Sequence, residues 1–565
     1  GYGGNGFYDC LGGVIELKVG HHGKAAVSGA EVMCVWASGK SAYAAAYAAW
    51  KMAAKTAGKG FQLRHTKRYP EIFRYLGWCS WDAFHLNIDE KKMVAAIKGI
   101  LGSKLPIRWI LIDDGHYDKK TLLHDGKKFP RGYAPIIALR DHHEKIRWMG
   151  IWYAMFGNFS GVKPNRAWET IAAHCQTVNG RVLPRSNRES ARAYYRFLFR
   201  EAIKSGFDFL KIDFQTHNLG FFSGNGWNFR GYPGKTGVPN PYVASIMAQQ
   251  GLQDIVQESF HGLINCNWHN AACIFFSQSS VVGRCSEDNR GGIGDAAAHT
   301  WHAFAAIPWL GQVAWGDHDM FHSGDKQPAA AQLNAMAKAL SGGPVYLAEL
   351  PEKMVPRFVL PLCYRDGLLL RPLAPGCPLP EDLFCRLYAT KKLNAAIAPL
   401  PNRTAAILVY NTLYKFQSPV TRKITAQDYA AASSMIQPYP GPWPQPDEGL
   451  LIYDWTLQRV QRLGNAGCKV SLNGLGCRLL QLSPIIRGWS VIGRVDKYLA
   501  AAAVNHVEFR DDELIVSLER SGPLGIWSAR GAPRANGVVF RDAGNGLYIG
   551  QLKESDQPLT LRISR

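Results

Sequence analysis

Apolar residues along this chain change their spacing twice. Between residues 76 and 347 they form short continuous runs separated by stretches with a three-to-four-residue period. That is the pattern of buried parallel strands alternating with amphipathic helices. The strand-like runs are Leu76–Trp81, Ile107–Asp113, Trp148–Trp152, Phe207–Asp213, Leu263–Trp268, Val281–Arg284, Trp309–Trp315 and Pro344–Leu347. Helices are predicted between them. Glu90–Leu101 has Asp89 as its cap, and Asn187–Ser205 is preceded by Ser186-Asn-Arg-Glu189, spaced as a capping box. Eight strands in this length predict an α/β fold, a (β/α)8 barrel. An open doubly wound sheet would carry a glycine-rich phosphate loop, and no G-x-G-x-x-G follows the first strand. The short stretch 269–280 leaves room for only a very short fifth helix.

The flanking regions differ. Residues 1–68 read as a short β/helix segment, with strands at Gly13–Val19 and Glu31–Trp36 and an Ala-rich helix over 41–57. The barrel then occupies 69–360. In 361–565 the period drops to two, with runs at Ala405–Tyr410, Leu450–Tyr453, Arg478–Leu482, Glu513–Leu518, Gly537–Phe540 and Leu559–Ile563. Glycine and proline punctuate these runs, which predicts an all-β sandwich.

Composition narrows the function classes. An apolar content of 47% with 19% charged residues supports a large core and excludes a disordered chain. The net charge is +21, but the basic residues are scattered. Neither a basic tract nor a zinc-finger spacing supports nucleic-acid binding. The 12 cysteines form no C-x-x-C pair and several sit in apolar runs, which fits buried free thiols and leans toward a reducing compartment. No stretch of 18 apolar residues predicts a membrane span. Gly1-Tyr-Gly-Gly-Asn5 lacks a signal pattern. A soluble protein, cytoplasmic or exported with its signal removed, is expected, of unassigned oligomeric state.

The chemistry is concentrated where the strand-like runs end. A barrel places its active site there. The first run ends in Trp78, Trp81 and Asp82, the second in Asp113-Asp114-Gly115, and the third in Trp152 and Tyr153. The fourth delivers Lys211 and Asp213 from one face of the strand. Cys266, Asn267 and Trp268 close the fifth, Arg284 to Asp288 the sixth, and Asp317-His-Asp319-Met320 the seventh. Such a ring of carboxylates has two readings. A metal site would need histidine ligands, and the usual H-x-H pair on the first strand is missing. Glycoside cleavage needs two carboxyl groups flanking the scissile bond, polar anchors and an aromatic platform. Trp81 and Trp152 fit the platform, and Asp113 and Asp114 fit anchors for sugar hydroxyls. Cys266 and Asp319 read as pocket wall and floor. The glycoside reading calls for no cofactor and no metal.

Six of these segments, in order, resemble glycoside hydrolase family 36, in its alkaline α-galactosidase (seed imbibition protein) and raffinose synthase branch. They are Leu76-Gly-Trp-Cys-Ser-Trp-Asp-Ala-Phe84, Leu111-Ile-Asp-Asp-Gly115, Leu210-Lys-Ile-Asp-Phe-Gln215, Ile264-Asn-Cys-Asn-Trp-His-Asn270, Arg284-Cys-Ser-Glu-Asp288 and Asp317-His-Asp-Met-Phe-His-Ser323. The resemblance implies Asp213 as nucleophile, with Lys211 holding it and the sugar, and Asp288 as general acid/base. It implies Arg284 near the sugar C2 position and Asp113 and Asp114 on the C4 and C6 hydroxyls. Retention through a covalent galactosyl-enzyme follows, with the two carboxyl groups about 5–5.5 Å apart.

Three departures from the family pattern stand out. Only a short segment precedes the barrel, where the family carries a large β-sandwich, so a truncated or reduced N-terminal domain is expected. His116 and His318 replace tryptophans, which is expected to alter the leaving-group side. Asn267 suits a C2 hydroxyl or an acetamido group. An α-galactoside substrate is favoured over an α-N-acetylgalactosaminide. Hydrolysis is favoured over raffinose-synthase-like transfer, and a non-catalytic glycan-binding relative is the remaining alternative.

Overall fold

The computed structural model describes residues 6–11, 14–19, 35–57, 61–224, 237–388, 392–415, 418–436, 441–510 and 512–565. Eight parallel strands curl around one axis. They are β1 (Gly77–Cys79), β2 (Trp109–Ile112), β3 (Trp148–Ala154), β4 (Phe209–Asp213), β5 (Leu263–Asn265), β6 (Val282–Arg284), β7 (Trp315–Asp317) and β8 (Tyr346–Leu347). Neighbours pair in chain order from β1 to β7, and β8 returns to pair with β1. The last seam, between β7 and β8, has no ladder. It is closed by a bridge between Phe321 and Leu347, with the Phe321 N–H donating to the Tyr346 carbonyl at 2.8 Å. The barrel expected from the sequence is present.

The helices between the strands include α1 (Glu90–Gly102), α2 (Ala134–Asp141), α3 (Arg188–Leu198), α4 (Pro241–Ser259), α5 (Ala271–Phe276), α6 (Ile293–Leu310) and α7 (Pro328–Ser341). Asp89 caps α1 by accepting from the Lys92 N–H at 2.8 Å. α5 is the very short helix that the stretch 269–280 allows. Two local expectations need correction. The cap of α3 is Asn187, whose side chain accepts from the Ser190 N–H. The Ser186 capping box is therefore out of register by one residue. The run Trp309–Trp315 is not one strand: Trp309 and Leu310 end α6, and β7 begins only at Trp315. A continuous apolar run does not by itself distinguish a buried helix end from a strand.

The barrel interior explains why the strand ends carry charge. Trp109 on β2, Phe209 on β4 and Tyr346 on β8 are in ring contact, at centroid distances of 5.3 and 5.4 Å. Strands two places apart touch only across the inside of a barrel, where alternate strands fill each layer. Gly77 and Gly150, on the strands between, leave the space. A methyl group at either would sit 2.1 or 2.3 Å from the Trp109 or Phe209 ring. This apolar floor lies below the layer that receives Asp113, Lys211 and Arg284.

Before the barrel, Gly6–Leu11 and Val14–Val19 form an antiparallel hairpin, and a helix spans Ala42–Ala57. The helix docks on α6 through Trp50, whose indole N–H donates to the Trp309 carbonyl at 2.9 Å. Most of the strand expected at Glu31–Trp36 lies outside the described residues. After the barrel the chain is antiparallel β. A six-stranded sheet includes Asn394–Leu400, Thr404–Tyr410 and Cys477–Pro484. A four-stranded and a three-stranded sheet share a separate apolar core that includes Trp489, Leu514, Val516 and Ile526. Among the described residues, no helix is long and apolar enough to cross a membrane, and ten cysteines are unpaired.

Gly283 on β6 faces the Trp268 indole, where an added Cβ would lie 2.2 Å from the ring. Gly283→Ala is expected to destabilise the protein by about 1–3 kcal/mol through overpacking, read as a lowered midpoint in urea unfolding.

Candidate active site

Charge enters the barrel on alternate strands. Asp113 follows β2, Lys211 lies on β4 and Arg284 ends β6. The Lys211 ammonium donates to Asp113 Oδ2 at 2.8 Å, and both side chains are almost fully buried. This corrects the expectation that Lys211 holds Asp213. Side chains two residues apart on a strand share a face but sit about 6.6 Å apart, whereas alternate strands meet within one layer. Burial works against the Lys211 charge, and the Asp113 carboxylate more than offsets it, holding the ammonium above its ordinary range. Asp113 also accepts from the Cys79 thiol at 3.3 Å and, through Oδ1, from the Asp114 N–H at 2.9 Å. Its carboxylate is therefore committed within the protein. Asp114 is the more open of the two, and burial, then the neighbouring Asp113, pushes its carboxyl up.

Asp213 ends β4, half-buried, and its Oδ1 accepts from the Phe214 N–H at 2.7 Å. Phe214 adopts a left-handed backbone, φ 53°, which turns the chain sharply after the carboxylate. The Cys266 thiol, buried at the end of β5, hydrogen-bonds Asp213, and burial pushes that thiol up.

Arg284 gathers the opposite side. Its guanidinium is 4% exposed, so its charge has to be met by protein groups. Nη2 lies 2.5 Å from Asp319 Oδ1, Nη1 lies 2.9 Å from Asp288 Oδ1, and Nε lies 3.7 Å from Asp317 Oδ2. The Arg284–Asp317 register across β6 and β7 places those two side by side. The two β7 carboxyls diverge. Burial opposes ionisation of Asp319, but Arg284 and Lys211 hold it down at about 2, while burial dominates at Asp317 and raises it. The Tyr346 hydroxyl donates to Asp317 Oδ2 at 3.0 Å. Asp288 is different: its side chain is 57% exposed. It stands at the mouth beside Glu287, which is also exposed.

The expected aromatic platform is only partly accessible. Trp81 is half-buried in the turn Trp81–Phe84. Trp152 is 2% exposed and stacks on Tyr117. Trp268 is equally buried, with its indole N–H on the Arg284 carbonyl at 3.0 Å, so it braces the arginine strand. Asn267 is half-buried with φ 50°. His116 and His318 do not line the leaving-group side. His116 is fully buried between the Trp152 carbonyl and the Tyr133 hydroxyl, and burial lowers it to about 4. His318 is 1% exposed, packed edge-on to Phe304.

Sequence reasoning missed the partners. Asp317 was placed at the end of the seventh run without a role, while Tyr346, which donates to it, and Tyr117, hydrogen-bonded to Asp114, were not singled out; a tyrosine within the Pro344–Leu347 run was the available signal for the first of these. It also left His322 unassigned. His322 Nε2 lies 2.6 Å from Asp82 Oδ2, joining the loop after β7 to the turn after β1. Burial works against its charge, but Asp82 more than offsets this and raises it above 6.5.

The barrel and the β-rich region after it have the fold of solved α-galactosidases. α-Galactosidase I from Mortierella vinacea superimposes with a TM-score of 0.50 at 16% identity, over 74% of this chain and 99% of that one. A GH27 β-L-arabinopyranosidase from Geobacillus stearothermophilus gives 0.52 at 14%, over 74% and 99%. The chain belongs to the raffinose synthase or seed imbibition protein Sip1 family, whose pattern matches residues 17–130 and 244–535. Trp81, Asp113, Asp114, Arg284, Asp288 and Asp319 lie in the matched stretches; Trp152, Lys211 and Asp213 lie between them. A probable galactinol–sucrose galactosyltransferase 6 of Arabidopsis thaliana is 27% identical, over 87% of this chain and 72% of that protein. The galactinol–sucrose galactosyltransferase of Pisum sativum is 22% identical, over 81% and 66%.

Two outcomes test this geometry. Lys211→Met leaves the Asp113 carboxylate buried without its cation and is expected to cost about 3–5 kcal/mol in urea unfolding. The His322–Asp82 pair should stabilise the protein fully below pH 6.5 and progressively less as pH rises through the raised pKa. The difference in melting temperature between wild type and His322→Gln is therefore expected to be largest in mild acid and to close in alkali.

Proposed function

We propose that the protein cleaves terminal α-linked galactose from an oligosaccharide or related glycoside by a retaining, two-step displacement. Asp213 attacks the anomeric carbon, and the glycosidic bond breaks as Asp288 gives its proton to the leaving oxygen. The galactosyl ester on Asp213 is then released when Asp288 takes the proton of the incoming hydroxyl. The observation that carries this reading is the pair of oriented carboxylates at the ends of β4 and β6. Asp213 is fixed by the Phe214 N–H and Asp288 by the Arg284 guanidinium. The committed Asp113–Lys211 pair leaves Asp114 as the open anchor for galactose hydroxyls, with Trp81 as the accessible ring. Asp288 is exposed in the free protein, so bound sugar and leaving group are what close it off from water.

A second reading differs only in the incoming hydroxyl, which comes from a sugar instead of water. It is favoured by the names of the relatives, which are galactosyltransferases from galactinol to sucrose. Both readings share the first chemical step.

The test uses 4-nitrophenyl α-galactoside, with the α-N-acetylgalactosaminide as comparison. Wild type is expected to release nitrophenol from the galactoside preferentially. Asp213→Ala should lose turnover and recover it with azide, as β-galactosyl azide. Asp288→Ala should fall by about 10²–10⁴-fold on poor leaving groups. Full activity in Asp213→Ala would sink the nucleophile assignment. In a sugar-bound structure, a carboxyl separation of about 6.5–9.5 Å instead of about 5–5.5 Å would replace retention with inversion.

A further inference from the structure

A second cleft opens beside the candidate active site, and none of the residues assigned to the displacement chemistry lines it. Its volume is about 690 Å³, and it lies between the turn after β1 and the loops after β6, β7 and β8. It is lined by Asp82, Arg290, His322, Lys326, Gln327 and Lys353, among others. The two sites share walls. Asp82 follows Trp81 directly. Arg290 is two residues beyond Asp288, and the intervening Asn289 donates its N–H to Asp319 Oδ2 at 2.8 Å.

We infer that this cleft is the subsite for the incoming hydroxyl compound, a neutral polyhydroxylated acceptor of disaccharide size, which the His322–Asp82 pair positions against the galactosyl-enzyme. The inference rests on the displacement reading given above. Its size falls within the roughly 300–1,000 Å³ of small-molecule sites.

The cleft is polar and its charges balance. Arg290, Lys326 and Lys353 are matched by Asp82, Asp325 and Glu349, three against three, so the protonation of His322 alone sets any excess. That balance gives little attraction to an anion and suits hydroxyl groups, which both donate and accept. The partners are already divided. The Glu349 carboxylate is taken up by the Ser323 and Gly324 N–H groups at 2.8 and 3.1 Å. Asp325 accepts from the Gly292 N–H at 2.6 Å and the Gln327 N–H at 2.8 Å. Asp82 gives Oδ2 to His322, and its Oδ1 accepts no hydrogen bond among the described residues. That oxygen is the acceptor presented to a ligand. The Arg290, Lys326 and Lys353 side chains hold no hydrogen bond within the described residues and supply the donors.

His322 is a positioning residue. It is wedged between Asp82 and Gly291, where a Cβ would come within 2.9 Å of Nδ1, so the absence of a side chain at Gly291 lets the imidazole stand upright against the cleft. In the transfer step, the ester bond between Asp213 and the anomeric carbon breaks and a bond from that carbon to the acceptor oxygen forms. The acceptor proton goes to Asp288, so no further reactant is needed.

Two variants and two measurements test this. Sucrose is the probe acceptor, with glucose 6-phosphate as the anionic comparison. Binding is read by saturation-transfer NMR on the intact protein, without turnover. Sucrose is expected to bind wild type, and binding is expected to weaken about tenfold in Asp82→Asn, which keeps the shape but loses the charged acceptor. Gln327→Trp, at an exposed lining position, should block the cleft. With 4-nitrophenyl α-galactoside as donor, the ratio of sucrose-transfer product to free galactose should fall in both variants, and the acceptor KM should rise more than kcat falls. Sucrose binding that is absent in wild type, or equal in all three proteins, would overturn the subsite. Tighter binding of glucose 6-phosphate than of sucrose would overturn the neutral-acceptor assignment. Failure of the displacement reading is distinct: it shows as no donor cleavage while sucrose still binds.

Discussion

The site depends on a guanidinium that has no water to turn to. Arg284 sits at the end of β6 almost wholly buried, and a buried cation is tolerable only when carboxylates surround it. Asp319 and Asp317 from β7 meet it on one side and Asp288 on the other. This one requirement fixes several features together. It ties two adjacent strand ends, keeps Asp319 ionised while Asp317 stays high, and holds the exposed Asp288 in one direction. The Lys211–Asp113 pair repeats the arrangement on β2 and β4. Such pairs add little net stability compared with apolar packing, but removing one partner is costly. Their effect here is orientation, and the side chains left free to meet a sugar are the few that these pairs do not consume.

Barrel geometry distributes the charges. Trp109, Phe209 and Tyr346 fill the interior from alternate strands, with glycines between them, so polar groups are displaced upward to the open end. The half-buried Asp213, the more open Asp114 and the exposed Asp288 thus face one mouth from three different strands. Trp152, which read as part of the sugar platform, and Trp268 at the end of the fifth run both belong to the wall that keeps those strands in place.

The architecture and the chemistry-bearing positions were largely legible. Apolar runs ending in Asp113-Asp114, Lys211-Ile-Asp213 and Arg284 to Asp288 announced barrel strands with charged tips, because a barrel gathers its polar groups where the strands end. Pairing was not legible. Sequence spacing put Lys211 beside Asp213, but contact across the barrel depends on which layer each residue enters. Exposure was equally hidden: His116 and His318 stand next to motif residues, yet both side chains are buried. The extent of β7 was misread because Trp309–Trp315 is apolar throughout and contains both the end of a helix and the start of a strand.

The missing ladder between β7 and β8 has a dynamic consequence. Seven seams of the barrel are sewn by regular pairing and the eighth by the Phe321–Leu347 bridge. Segments with few hydrogen bonds across a junction open before the rest of a fold. Asp317, Asp319 and Tyr346 flank that junction, and the loop carrying His322 leaves from it. The barrel can therefore breathe at the seam where its carboxylates are concentrated, while its apolar floor stays shut.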